Sequence, residues 1–274
     1  MNNFEELYGL SQELFHEINH LIVALSPTGQ LFITTQKCGQ SYLRSFCKTS
    51  HFEITLCNQV AKTNDKKNYL IYKNYYFSPF DEMDISHEEM FNELGVSNIT
   101  ELLNKKCKII IRHPFDRFIS ALFFLGKVQV MDRLKKSYYN GYPPDAEIDK
   151  ISTNQVKNWI DEYWQDVLIN QSKFEFSDPH LRPWLSFVEN IKGDNSEIIL
   201  LSELSKNTEE DLKISNVLRG RDVIEYNATK KYYKDRNLDT QTSPYRKMLL
   251  LYKEIFINEY QSWINLTNGR EENS

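Results

Sequence analysis

Four cysteines stand in 274 residues, at Cys38, Cys47, Cys57 and Cys107, with no Cys-x-x-Cys and no paired spacing. Neither a disulfide framework nor a zinc site is expected of them, and they read as reduced thiols. Long apolar runs are also missing. The most apolar windows, 21–25, 108–111 and 119–125, fall well short of the roughly 18–20 residues that span a bilayer. The first twenty residues carry acids and no continuous apolar stretch, which predicts neither signal peptide nor membrane anchor and hence a cytoplasmic protein. There is no surplus of positive charge: 33 Lys and Arg against 38 Asp and Glu leave a net charge of −5. That argues against a general polyanion binder, and no nucleic-acid partner is expected. With 9 glycines and 8 prolines the chain is neither collagen-like nor a linker. No internal repeat or low-complexity linker divides it, so a single domain over 1–274 is expected. What it does hold is apolar and aromatic material, 41% and 13% of residues with 16 Tyr, 16 Phe and 4 Trp, ample for a buried core.

Periodicity then assigns elements. Residues 3–20 have roughly helical spacing of apolar positions. Residues 31–35 form a short apolar, β-branched run, expected as a buried strand, and lead through a Gly-containing turn into a helix start at 42–48. A second strand is expected at 69–77, and short helices around Gly95 within 88–103. Cys107–Ile111 is the clearest strand, bounded by Lys105-Lys106 and Arg112-His113-Pro114. Pro114 suits a first helical turn, where its missing N–H would have no partner in any case, and 115–130 continues with helical period. Residues 137–152 are turn-rich and expected as a loop insertion. A helix at 156–170, a strand at 198–201 and a long amphipathic helix at 247–263 complete the pattern. Strands alternating with helices predict an α/β fold with a central, mostly parallel sheet flanked by helices. Such sheets bind ligands at the carboxyl ends of their strands, here after Thr35 and after Ile111.

Each turn, taken alone, reads either as an anion site or as an ordinary structural feature, a surface turn with an incidental lysine in the first case and a helix start with structural salt bridges in the second. In Thr34-Thr35-Gln36-Lys37-Cys38-Gly39-Gln40-Ser41-Tyr42, a helix N-terminus offers N–H groups and partial positive charge. Gly39 permits close backbone approach, Lys37 adds a full charge and Ser41 a hydroxyl. The loop is not a Walker A motif, because the Lys precedes the Gly. In Ile111-Arg112-His113-Pro114-Phe115-Asp116-Arg117-Phe118-Ile119-Ser120, Arg112 supplies a guanidinium fork suited to phosphate and Ser120 a hydroxyl two helical turns later.

Taken together, LFITTQKCGQSYLRSF and KIIIRHPFDRFISALFF resemble the two phosphate motifs of the sulfotransferases that use 3′-phosphoadenosine 5′-phosphosulfate (PAPS). Asp178-Pro179-His180-Leu181-Arg182-Pro183-Trp184 is similar to the His-x-x-Pro-Gln element of the carbohydrate-type branch, and Tyr226-Asn227-Ala228-Thr229-Lys230 with the following amphipathic helix to its C-terminal region. The likeness runs from about residue 29 to 264. It implies a P-loop-NTPase-like three-layer sandwich, PAPS as donor, 3′,5′-bisphosphoadenosine (PAP) as product, and no metal. The acceptor would be a hydroxyl of a carbohydrate or small metabolite. The lack of leader and anchor suggests a bacterial-like soluble member rather than a Golgi-type one. Three positions depart from the family pattern: Gln40 stands for the usual Thr or Ser, His113 for Asp or Glu, and Trp184 for Gln.

Sulfuryl transfer, like phosphoryl transfer, builds charge on the leaving oxygen, and the protein chiefly positions groups and stabilises that charge. The resemblance places Lys37 at the bridging oxygen between sulfur and the 5′-phosphate. Cys38, Gly39, Gln40, Ser41 and Tyr42 complete the 5′-phosphosulfate loop, with the N–H groups of 39–41 on the phosphate. Arg112 and Ser120 would hold the 3′-phosphate. A base for the acceptor hydroxyl is sought among the six histidines and nearby acids: His180 has the best motif context, followed by Glu82 and His87. His16 and His20, four apart, lack a third ligand and read as a helix face. Trp159, Tyr163 and Trp164, at helical spacing, read as core rather than a sugar-stacking platform. Two other classes stay open: a non-catalytic nucleotide- or glycan-binding descendant, and a P-loop-like kinase, which the missing Walker A disfavours.

Overall fold

A computed structural model describes residues 20–39, 42–43, 51–62, 68–77, 92, 95–97, 99–135, 152–171, 181, 183–211, 213 and 245–268. Its elements, in chain order, are β1 (His20–Leu25), β2 (Leu31–Thr34), β3 (His51–Lys62), β4 (Asn68–Phe77), α1 (Ile99–Asn104), β5 (Cys107–Ile111) and α2 (Pro114–Lys135). There follow α3 (Thr153–Gln171), α4 (Leu185–Ile191), β6 (Ser196–Leu200), a 3-10 turn (Leu201–Glu203), α5 (Leu204–Asn207), α6 (Tyr245–Ile255) and α7 (Ile257–Thr267). A sheet in which β2, β5 and β6 run parallel, together with the helices between β5 and β6, makes this an α/β protein.

The chain divides into two compact units. One comprises Met1–Arg112, Pro183–Tyr226 and Ser262–Ser274; the other comprises His113–Arg182 and Asn227–Gln261. Each is built from separate stretches of sequence. No linker and no composition break therefore marks their boundaries, and the sequence reads as one domain.

The first unit contains a sheet of strand order β4-β3-β1-β2-β5-β6. Its four strands β1-β2-β5-β6 are mostly parallel: β2, β5 and β6 run together, with Ile33 opposite Ile109 and Ile109 opposite Ile198, while β1 runs against β2. β3 and β4 extend the sheet antiparallel beyond β1. The β1–β2 reversal is a tight turn in which Gly29 N–H bonds the Ser26 carbonyl at 2.9 Å with Gly29 at φ +79°, a left-handed position that favours glycine. Parallel strands covered on both faces read as continuous apolar runs. All four residues of β2 are buried, which is why LFIT and CKIII stood out.

Strand alternation sends side chains to opposite faces. Val23, Leu31, Ile33, Cys107, Ile109 and Ile111 form one core with Leu185, Val188, Trp263 and Leu266. Ala24, Phe32 and Ile110 form another with Leu43 and Leu204, edged by Tyr42 and Leu201. Phe32 is fully buried, worth about 1.5–3 kcal/mol relative to exposure.

The second unit is helical. Phe115, Phe118, Ile119 and Leu122 of α2, spaced i, i+3, i+4, i+7, pack with Val156, Trp159, Ile160 and Trp164 of α3 and Met248 and Tyr252 of α6. The Trp159–Trp164 stretch is thus core, as expected. Ser152 and Gln155 cap α3 reciprocally: Gln155 N–H donates to Ser152 Oγ at 3.4 Å and Ser152 N–H to Gln155 Oε1 at 3.2 Å, a capping box legible in Ser-x-x-Gln.

Two expectations change and one strand is new. The helical pattern of 3–20 gives way at His20 to β1; residues 3–19 lie outside the described residues. β3 had no expectation, because Asn58, Gln59 and Lys62 interrupt its apolar positions. The helix expected at 247–263 is α6 and α7, parted at Phe256, although Phe256 N–H still bonds the Tyr252 carbonyl at 2.9 Å and Tyr260 N–H the Phe256 carbonyl at 3.2 Å. Among the described residues no helix is long and apolar enough to cross a membrane. The loop expected at 137–152 falls, apart from Ser152, outside the described residues.

Candidate functional site

β2 and β5 are neighbours and parallel, so the turns that follow them leave the same edge of the sheet. Lys37 has φ +65°, and among the described residues only Asn268 shares a positive φ without being glycine. A left-handed backbone costs a non-glycine residue about 1–2 kcal/mol. Its carbonyl accepts a hydrogen bond from Arg112 Nη1 at 3.1 Å. A hydrogen bond from a charged donor contributes about 1.5–3 kcal/mol, enough to offset the strain. Strained backbone of this kind persists where its surroundings over-determine it, and it gathers at functional sites.

Gly39 has φ +91°. A Cβ there would lie 2.7 Å from Leu201 Cδ1 and 3.1 Å from Leu204 Cδ2. The dihedral favours glycine, and a side chain here would press on the Leu201 and Leu204 side chains that follow β6. The Gly39 carbonyl accepts the Leu43 N–H at 3.0 Å, which ties the turn to the helical residues Tyr42 and Leu43.

Cys38 is fully buried, its side chain in the core beside Ile33 and Ile109, and its N–H bonds the Thr35 carbonyl at 3.3 Å. Tyr42 sits at the edge of the opposite core with its hydroxyl 2.9 Å from Thr208 Oγ1. These two residues of the expected cofactor loop thus anchor it to the sheet and to the segment after β6. Lys37 is half-buried and Arg112 is only 4% exposed. The structure brings Lys37, Cys38, Gly39 and Arg112 together in the first unit. Gln40, Ser41, His180, Glu82 and His87 lie outside the described residues.

Ser120 belongs to the second unit, half-buried on α2. At the start of that helix the His113 carbonyl accepts the Arg117 N–H at 2.9 Å. The His113 ring meets Tyr260 edge-on at 5.3 Å, with Nε2 3.2 Å from the Tyr260 hydroxyl. Burial, aided by the charge of Asp116, pushes the Tyr260 hydroxyl above its ordinary value. The position where the resembling family has an acid is therefore occupied by a ring bonded to a neutral phenol. Burial likewise raises the Cys107 thiol, against the lowering effect of its bond to Ser196; such a thiol is unreactive. Among the described residues no group of three His, Cys, Asp or Glu is placed to hold a metal ion.

Sequence reasoning placed Thr34 in the turn without a role and missed Leu201, Leu204 and Thr208, which reach the turn and Tyr42 through contacts between distant segments. Chemically, the arrangement is a backbone turn with a half-buried lysine on it and a buried arginine bonded to that lysine's carbonyl. The chain matches no protein-family model, no curated protein and no solved structure.

Proposed function

We propose that this protein is a sulfotransferase of the P-loop-like three-layer kind, moving the sulfuryl group of PAPS to a hydroxyl of a carbohydrate or small metabolite, in the cytoplasm. The observation that carries the proposal is the meeting of the two phosphate-type turns, with Arg112 Nη1 on the Lys37 carbonyl at 3.1 Å. The residues present suit an anionic nucleotide: a lysine on a left-handed turn, a glycine that brings backbone close, and an arginine. In this reading Lys37 stabilises charge on the donor's leaving oxygen, and the N–H groups of Gly39, Gln40 and Ser41 hold its 5′-phosphate. Arg112 and Ser120 bind the 3′-phosphate. His180 takes the acceptor proton, with Glu82 and His87 as the other candidates.

Calorimetric titration with adenosine 3′,5′-bisphosphate against AMP tests it. Binding of the bisphosphate at least tenfold tighter than AMP is expected; equal affinities, or no binding to folded protein, overturn the reading. Nucleotide binding without sulfate transfer to any hydroxyl would point instead to a non-catalytic descendant. His113 bonded to Tyr260 in place of an acid is the observation favouring that second reading.

A further inference from the structure

Thr34 ends β2, directly before the turn, and is fully buried. Its Oγ1 lies 2.9 Å from the Cys38 carbonyl oxygen and 3.1 Å from the Ile110 carbonyl oxygen, sharing one proton between two acceptors. The first acceptor belongs to the turn and the second to β5. One hydroxyl therefore ties the turn to the neighbouring strand.

The direction of that tie matters. In a trans peptide the carbonyl and the N–H of the same unit point oppositely. The Cys38 carbonyl and the Gly39 N–H share one peptide plane. With the carbonyl drawn onto Thr34, the Gly39 N–H is turned away from Thr34 and the strands. Arg112 holds the preceding plane in the same manner through the Lys37 carbonyl. Two successive peptide planes are thus set by side chains rooted at the carboxyl ends of β2 and β5.

We infer that Thr34 is a positioning residue: its hydroxyl fixes the Cys38–Gly39 peptide so that the Gly39 N–H is presented as an anion donor before any ligand arrives. The idea deepens the sulfotransferase reading and its binding consequence rests on that reading; the orientation of the peptide does not.

The test uses Thr34→Val and Thr34→Ser in the full chain. Valine keeps the β-branched shape and removes the hydroxyl, whereas serine keeps the hydroxyl and removes the methyl. Hydrogen–deuterium exchange is first measured without ligand. A lost hydrogen bond of ordinary strength corresponds to about tenfold in an opening equilibrium. The amides of 38–43 should therefore exchange roughly tenfold faster in Thr34→Val and within about twofold of wild type in Thr34→Ser, with α3 unchanged in both. Titration with adenosine 3′,5′-bisphosphate should then show about tenfold weaker binding for valine and rescue by serine. Unchanged exchange in Thr34→Val, or equal disturbance by serine and valine, overturns the inference. Should valine prevent folding, serine alone decides: wild-type exchange supports the hydroxyl's role, and accelerated exchange refutes it. Wild-type protein that binds no nucleotide while exchange follows the expected order sinks the sulfotransferase reading and leaves the positioning role standing.

Discussion

Arg112 Nη1 donates to the carbonyl of Lys37, 75 positions earlier in the chain, at 3.1 Å. Removing the guanidinium strips the strained turn of its support as well as any ligand of its partner. Arg112→Ala should lower stability by about 1.5–3 kcal/mol, the range for a hydrogen bond from a charged donor, and weaken adenosine 3′,5′-bisphosphate by at least tenfold. Arg112→Lys should recover part of the binding but little of the stability, because an ammonium lacks the planar fork. Urea denaturation and calorimetry on the same samples separate the two effects.

Lys37 combines a functional side chain with an unfavourable backbone. Lys37→Gly should raise stability by about 1 kcal/mol through relief of the left-handed strain while abolishing sulfate transfer. Lys37→Ala should abolish transfer with no such gain. Equal stability of the two variants would contradict the strain argument.

At Gly39 both dihedral and space are against a side chain. Gly39→Ala should destabilise by about 2–4 kcal/mol, combining left-handed strain with overpacking against Leu201. In a Leu201→Ala background the penalty of the same change should fall but not vanish, since φ +91° remains. A double-mutant cycle in urea reads the coupling directly.

Gly126 lies on α2 where a Cβ would stand 2.9 Å from Val156 Cγ1 and 3.0 Å from Trp159 Cε3. An alanine inside a helix normally stabilises by about 1 kcal/mol over glycine. Here Gly126→Ala should destabilise, by about 1–2 kcal/mol net of overpacking. With Val156→Ala present the sign should move back toward stabilisation. Thermal melts of the four proteins settle it.

The alkaline limb of stability should carry two signatures. Tyr260 is raised above its ordinary value of 10.0 by burial and by Asp116, and Cys107 above 9.0 by burial. A group raised on folding contributes fully below its unfolded value and loses that contribution as pH climbs through the folded one. Stability should therefore begin to fall above about pH 9 through Cys107 and more steeply above pH 10 through Tyr260. Tyr260→Phe should flatten the steeper part while costing about 0.5–1.5 kcal/mol at neutral pH for the bond with His113. Urea midpoints between pH 8 and pH 11 provide the check.

Much of this architecture is written locally. Cys107–Ile111 is a β-branched run between charged and proline-bearing turns, and it is β5 to the residue. The helices at α2 and α3 carry apolar positions at helical period, and Ser152 with Gln155 signs the start of the second. β1 and β3 escaped because neither is closed by recognisable turn chemistry on both sides. α6 and α7 merged because their apolar stripe continues across Phe256.

From its residues alone the chain declares an α/β class, its clearest parallel strands and the basic chemistry of two turns, the first of them bearing a glycine. These follow from side-chain shape and period, which act within a few positions. Tertiary structure alone decided that β2 and β5 are neighbours, that Thr34 reaches Ile110 across 76 positions and that Leu201 fills the space at Gly39. Such contacts join segments distant in sequence, and they exist only once burial of the sheet's two faces has brought those segments together.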